Sequence, residues 1–292
     1  MKISSNIFDT ALVIEGGGMR CSYTAGIVTK LLEEELFFNY VTGISAGASN
    51  GVNYLSRDKK RVRESFVEIV KDDKFGGWIS FLKGEGFFRS KYIYEETPLP
   101  GGALEYDFDT FLNNPAEIKI GSFLRDTGEM IYYSKEDMKK LNDLMKIVRA
   151  SSSLPFFMPQ TKFNGKHHLD GGLGGGVPLD IALRDGYKKF FIVLSRPKGF
   201  RKEPYKNKLL VKVYYRKYPQ VARAILTRYQ RYNDMLDKIE ELVKLGIAYA
   251  VYPKRMSVGS NETDYNKLAQ NYEYGYNQAK DDIYEWKEFL YK

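Results

Sequence analysis

Apolar positions change period several times within the first sixty or so residues. Ala11-Leu12-Val13-Ile14 is a short apolar run that stops at Gly16-Gly17-Gly18. It reads as a buried strand entering a glycine turn. From Ser22 to Leu36, Ala25, Val28, Leu31 and Leu32 fall at helical spacing and Glu33 to Glu35 cluster near the end, predicting a helix. Asn39 to Ile44 predicts a second strand and Ala46 to Leu55 a second helix. Strand, glycine turn, helix, strand, sharp turn, helix is an α/β alternation. It implies layers around a largely parallel central sheet.

The pattern breaks from Phe75 to Gly102. Glycines and two prolines, Pro98 and Pro100, lie among exposed-type aromatics, Trp78, Phe81, Phe87 and Phe88. This predicts an irregular, lid-like insertion over the sheet. Glu117 to Phe123 alternates as a strand, with Glu129 to Tyr133 as its partner. Lys135 to Ser152 predicts a helix stopped near Pro155, and Lys162 to Leu169 a strand ending at Asp170-Gly171-Gly172. Pro178 to Arg184 predicts a short helix and Lys189 to Leu194 a final core strand. From about Pro204 the chain reads as mostly helical, with a late apolar run at Ile247 to Val251. Beyond Asp264, the residues Tyr265, Leu268, Tyr272, Tyr276, Ala279, Ile283 and Trp286 form a stripe at helical spacing, the pattern of core packing.

Composition narrows the function classes. The chain has 292 residues, 43% hydrophobic and 28% charged, which excludes disordered and low-complexity classes. Cys21 is the single cysteine, so no intramolecular disulfide and no cysteine-based zinc site can form. The two histidines, His167 and His168, are adjacent, which excludes a site needing three imidazoles. No apolar run of signal-peptide length opens the chain, and the longest charge-free stretch, Leu36 to Ser56, is too polar to span a bilayer. The expectation is a cytoplasmic protein.

The net charge of +8 is concentrated. Arg196 to Arg231 holds twelve Lys or Arg against one acidic residue, Glu203, with Tyr205, Tyr214, Tyr215, Tyr218 and Tyr229 interleaved. Such a segment suits phosphates and stacked bases. It equally suits peripheral contact with an anionic membrane, or it is a solvated helical face. No nucleic-acid signature accompanies it, so no nucleic-acid partner is expected.

Three motifs carry chemistry. Gly43-Ile44-Ser45-Ala46-Gly47 matches the nucleophile elbow G-x-S-x-G and lies between a predicted strand and a predicted helix. A serine there projects above the sheet, and the helix N-terminus favours developing negative charge. Gly16-Gly17-Gly18-Met19-Arg20 can present successive backbone amides to an anion, including the oxyanion of acyl transfer. It lacks the Gly-Lys-Ser/Thr ending of a phosphate-binding loop, and Cys21 stands where a dinucleotide fingerprint needs glycine. Asp170-Gly171-Gly172 offers an uncrowded carboxylate. The usual Ser, acid, His order would need an acid between Ser45 and His167, where Asp107, Asp109 and Asp126 are unmarked candidates. The alternative is a Ser–Asp dyad whose buried carboxylate is made more basic.

Taken together, Glu15 to Arg20, Gly43 to Ala48, Asp170 to Gly172 and the run Ala150-Ser151-Ser152-Ser153-Leu154-Pro155-Phe156-Phe157 resemble the patatin-like phospholipases, closest to the bacterial branch with a basic C-terminal extension. The resemblance covers roughly residues 10 to 200. It implies a three-layer α/β/α fold with Ser45 as nucleophile, Asp170 as base and Gly43 and Gly47 shaping the elbow. It also implies an oxyanion hole at Gly16, Gly17 and Gly18, with Arg20 supporting that loop. The family commonly has glycine where this chain has Cys21. No metal or organic cofactor is implied. The expected partner is a lipid or other acyl ester, cleaved through an acyl-enzyme that could also pass its acyl group to an alcohol. The expected organisation is a catalytic domain over 1–200, with the insertion at about 75–102, and a basic helical extension over 201–292 packed on it. The competing readings are a weak or inactive lipid-binding protein on the same scaffold and a nucleic-acid-binding protein using the basic segment.

Overall fold

The computed structural model describes residues 3–292. Its elements run β1 (Thr10–Ile14), α1 (Cys21–Glu33), β2 (Tyr40–Ile44), α2 (Ala46–Leu55), α3 (Lys59–Glu64), α4 (Trp78–Leu82) and α5 (Phe108–Asn113). Then follow β3 (Glu117–Leu124), β4 (Met130–Tyr133), α6 (Leu141–Ser151), β5 (Thr161–Phe163), β6 (Lys166–Asp170), α7 (Leu179–Arg184) and β7 (Lys189–Val193). The chain closes with α8 (Lys208–Tyr214), α9 (Pro219–Lys244), β8 (Ala248–Val251) and α10 (Tyr265–Tyr291).

All eight strands form one sheet, ordered β5-β6-β3-β2-β1-β7-β8, with β4 paired to β3. The strands β3, β2, β1, β7 and β8 run parallel, whereas β4, β6 and β5 pair antiparallel. Side chains of adjacent residues point to opposite faces of a strand, and both faces here are apolar. Leu12 and Ile14 of β1 join a core with residues of α1, α2, α6 and α10, while Ala11 and Val13 join a second core with residues of α7 and α9. Helices therefore cover both faces, giving three layers.

The C-terminal stripe is core, as its spacing predicts. Leu268, Tyr272, Ala279 and Trp286 are buried. Helix α10 crosses α1 at two glycines. A Cβ on Gly26 would fall 2.3 Å from Tyr272 O, and one on Gly275 would fall 2.0 Å from Tyr23 O.

Several local expectations are corrected. The run Ile247 to Val251 supplies β8, parallel to β7, so β7 is not the last core strand. Residues 162–169 fold as a hairpin, because Asn164 and Gly165 take φ of 47° and 74° and turn the chain. The helix expected from Lys135 is split: a 3-10 turn over Lys135–Asp137, closed by a Ser134/Asp137 capping box, precedes α6. In the insertion, Phe87 and Phe88 are buried at 4% and 6% exposure in a satellite core, while Trp78 stays exposed. Among the described residues, no helix is long and apolar enough to cross a membrane.

Candidate active site

Sheet register decides which residues meet. Ile14 of β1 lies opposite Gly43, and Ile44 of β2 lies opposite Gly121. The next residues along β2 and β3, Ser45 and Ser122, come level, and Ser122 pairs with Asp170 on β6. The elbow, the glycine loop after β1 and the Asp-Gly-Gly turn thus gather at one end of the parallel strands, where α/β folds place their ligands.

Ser45 turns the chain from β2 into α2 with φ 56° and ψ −127°. Residues other than glycine avoid that region unless their surroundings impose it. Its amide donates to Ser151 Oγ at 2.8 Å, and Ser151 Oγ donates to Gly121 O at 2.6 Å. A Cβ on Gly43 would fall 2.6 Å from Gly47 O, and one on Gly47 would fall 2.5 Å from Ile14 O. Both elbow glycines are therefore required by space.

Asp170 ends β6 and is 2% exposed. Its amide donates to Ser153 O at 2.8 Å, and its Oδ1 accepts the Gly172 amide at 2.7 Å. Its Oδ2 is buried without a hydrogen-bond partner. Burial pushes the carboxyl above the usual carboxylate range. Arg228, the Ser45 hydroxyl, the Gly172 amide and Lys202 oppose that rise without cancelling it. No completed hydrogen bond joins Ser45 to Asp170 in this conformation, but the hydroxyl lies close enough to act on the carboxylate. Space also explains the paired glycines. A Cβ on Gly171 would meet Gly121 O at 2.4 Å, and one on Gly172 would meet Arg228 Nη2 at 2.6 Å.

The glycine loop departs from expectation at Gly16. Its amide donates to Gly176 O at 3.0 Å, so it is not free to hold an oxyanion. Its value is close approach: a Cβ there would fall 3.2 Å from Ser45 Cβ. The Gly17 and Gly18 amides have no acceptor among the described residues, and Gly18 lines the same cavity as Ser45. Gly18 has φ +57°, and a Cβ on it would fall 2.3 Å from Ser260 O, which accepts the Met19 amide at 3.0 Å.

Arg20 is likewise corrected. Its guanidinium makes no hydrogen bond to the loop, and its Nε is buried without a partner. The loop is held instead by Ser260 and by Ser195, whose hydroxyl donates to Gly16 O at 3.3 Å and whose amide donates to Glu15 Oε2 at 2.5 Å. Cys21 takes φ −72° and ψ 3°, which a side chain adopts without strain. Burial pushes its thiol up to about 12, so it stays protonated and unreactive.

Neither histidine is bonded to Ser45. His168 is buried in β6 between Ser122 Oγ and Tyr133 OH, each at 3.2 Å, and burial lowers its pKa. Of the unmarked acids, Asp107 caps α5 and Asp126 pairs with Arg125. Among the described residues, no group of three or more His, Cys, Asp or Glu is placed to hold a metal.

Two cavities meet here. One opens on Ser45 and is lined mainly by apolar residues such as Phe66, Phe75, Ile93 and Leu104. Tyr94 of the insertion also lines it, with its hydroxyl beside Ser49 and Ser152. The second, of about 400 Å³, shares Phe88 and Leu154 with the first and carries Lys202 and Arg228. Sequence reasoning gave Ser151, Tyr94, Ser195, Lys202, Arg228 and Ser260 no individual role, because each reaches the site through tertiary contact alone. Only the basic run from Arg196 signalled the cations.

Residues 12–183 match the family model described as patatin-like phospholipase, and residues 218–291 match a domain of unknown function, DUF6363. The uncharacterized protein YjjU of Escherichia coli (strain K12) is 24% identical over 198 residues, 64% of this chain and 52% of that protein. The chain thus spans about half the length of this curated relative. The crystal structure of VipD from Legionella pneumophila superposes with a TM-score of 0.51 at 13% identity, covering 97% of this chain and 66% of VipD. That likeness concerns the fold.

Proposed function

The chain belongs to the patatin-like phospholipase family of lipid hydrolases, and from that premise we propose that it is a serine lipid acyl hydrolase working through Ser45 and Asp170. One observation carries the reading. Ser45 is held at φ 56° beside a buried carboxylate whose Oδ2 has no other partner.

The chemistry follows from the geometry. Asp170 Oδ2 accepts the Ser45 proton as Oγ attacks the ester carbonyl, and the oxyanion is received by the Gly17 and Gly18 amides. Collapse expels the alcohol, which takes the proton back from Asp170. Water, deprotonated by the same carboxylate, then attacks the acyl-enzyme, and Asp170 returns the proton to Ser45 Oγ as the fatty acid leaves. Burial that raises the Asp170 pKa strengthens it as a base. The apolar cavity next to Ser45 suits an acyl chain.

The reading extends to an anionic membrane surface. Leu209, Leu210, Val213 and Tyr214 of α8 are exposed, interspersed with Lys208 and Lys212. Tyr214 packs on Phe156 at 4.8 Å, and exposed Trp78 packs on Phe87 at 5.3 Å. Phe156 and Phe87 both line the 400 Å³ cavity, so exposed apolar groups flank its mouth.

Fluorophosphonate labelling with mapping of the modified residue tests the proposal. Label on Ser45 should vanish in Ser45→Ala and collapse in Asp170→Asn, with both variants folded. Folded wild type that resists labelling in the presence of lipid vesicles would refute it.

A further inference from the structure

Four cations converge around Tyr232 of α9. The Tyr232 hydroxyl donates to Glu15 Oε1 at 2.7 Å, directly before the glycine loop. Lys202 Nζ lies 4.6 Å from the Tyr232 ring centre. Phe200 packs edge-on against that ring at 6.1 Å and carries the Arg196 guanidinium at 4.4 Å. Arg228, about one helical turn before Tyr232, sits over Gly172 and acts on Asp170. Arg20 comes from the glycine loop and acts on Tyr232, Lys202 and Arg196 alike.

None of the described residues forms a salt bridge with them, although Glu15 acts on Arg196 and Lys202 from a distance and Asp170 feels Arg228. Among the described residues, none of these four side chains has a carboxylate oxygen within 4.0 Å. Two nearby acids are already hydrogen-bonded, while Glu203 lines the cavity beside Lys202 and Arg228. Glu15 receives the Ser195 amide and the Tyr232 hydroxyl, and Asp170 receives the Gly172 amide and faces Ser45. The Nε atoms of Arg20 and Arg228 are both buried without a hydrogen-bond partner. Arg231 is a useful contrast, because its guanidinium donates to Leu173 O, Ala224 O and Thr227 Oγ1. Burial and mutual repulsion bring Lys202 down to about 7 and hold Arg196 below its ordinary range. Gathered, half-desolvated and unpaired cations are a receptor for an anion.

We propose that Arg20, Arg196, Lys202 and Arg228 form a phosphate-binding site beside the Ser45–Asp170 pair. Planar guanidinium forks match phosphate oxygens in pairs, and the Lys202 ammonium adds a point charge. Resting on the hydrolase reading, the site assigns an orientation to the substrate. The phosphate of a phospholipid headgroup lies at the Lys202 and Arg228 side of the 400 Å³ cavity, whose lining is otherwise largely apolar and includes Glu203, and the acyl chain enters the apolar cavity on the other side of Phe88 and Leu154.

Calorimetric titration of inorganic phosphate into full-length Ser45→Ala protein tests the site without turnover. Saturable binding is expected, weakened about tenfold or more when Lys202→Met or Arg228→Gln is added. Lys202→Met removes a like charge, so its melting temperature should hold or rise, which separates lost binding from lost fold. Absence of saturable binding, or equal affinity in all three proteins, overturns the site. A second arm uses wild type on phosphatidylglycerol and on diacylglycerol of the same acyl chains, in the same neutral detergent micelles. Faster turnover of the phospholipid, with competitive inhibition by phosphate, supports the headgroup assignment. Equal turnover overturns it and leaves free phosphate as the ligand. Failure to cleave either lipid would refute the hydrolase reading while the phosphate titration still stands.

Discussion

Ser151 Oγ accepts the Ser45 amide at 2.8 Å while donating to Gly121 O at 2.6 Å, so one hydroxyl fastens the elbow to strand β3. Ser151→Ala removes the acceptor of the buried Ser45 amide and one donor to Gly121 O. A loss of about 1–3 kcal/mol in unfolding free energy is expected. Because Ser151 positions Ser45 without touching substrate, kcat should fall more than KM rises, and Ser151→Thr should restore part of the rate. Urea unfolding and steady-state kinetics on a soluble ester check both halves. Unchanged stability and rate would contradict the tether.

On the proposed reading, Asp170 sets an acid limb. A base must be ionised, so activity should rise with pH through a pKa higher than that of a free aspartate. The same shift fixes a sign for stability. A folded-state pKa raised above the unfolded one contributes stability at low pH that is lost as pH climbs through the folded value. Asp170→Asn, which keeps the Gly172 contact, should therefore melt above wild type at pH 7 while losing activity. A folded variant that melts lower would show that the surrounding cations need this charge.

Gly18 has φ +57° and no room for a Cβ beside Ser260 O. Gly18→Ala should cost about 1–3 kcal/mol and displace the loop. Hydrolysis should fall steeply even where circular dichroism shows a folded chain. Fluorophosphonate labelling should slow in parallel if, as proposed, the phosphonyl oxygen uses the same amides.

Lys202 gives a second pH signature, of opposite sense to Asp170. Its folded pKa of about 7 lies below the ordinary lysine value, so the unfolded chain binds the extra proton above neutrality. Stability should then increase between about pH 7 and pH 10, and Lys202→Met should remove that slope. Sulfate, whose charge is constant over this range, should raise the wild-type melting temperature at pH 7 more than that of Lys202→Met. Parallel pH–stability curves for the two proteins would contradict the assignment.

Helix α8 should carry membrane affinity. Leu209→Glu with Leu210→Glu is expected to reduce sedimentation with phosphatidylglycerol vesicles about tenfold or more, since each buried leucine contributes about 1.5–3 kcal/mol. Intrinsic fold should be untouched, because both side chains are exposed. Equal sedimentation would remove α8 from the membrane contact.

Legibility in the sequence followed locality. Strand β1, the elbow and the Asp-Gly-Gly turn were readable because their residues are contiguous and their glycines meet local steric demands. Spacing along the chain says nothing of the meeting of Ser45 with Asp170; it depends on the register Ile44–Gly121 and Ser122–Asp170. Gly16 looked like an amide donor, yet it is bonded to Gly176, which only the folded loop reveals. Ser260 and Arg228 lie far along the chain; the basic run that holds Arg228 is legible, but its meeting with Asp170 is not. The Asn164-Gly165 turn is a local hairpin signal that a reading of residues 162–169 as one strand passes over.

The crossing of Gly26 and Gly275 has a consequence for synthesis. Helix α1 carries the glycine loop at its start and lies against α10, which is translated long after it. Ser260, whose carbonyl accepts the Met19 amide and lies against Gly18, is also late in the chain. A nascent chain can thus hold the elbow and the Asp-Gly-Gly turn on the ribosome while its oxyanion loop remains unclamped. On the proposed reading, the loop that would receive the oxyanion is packed in place only once residues 260–291 have been made.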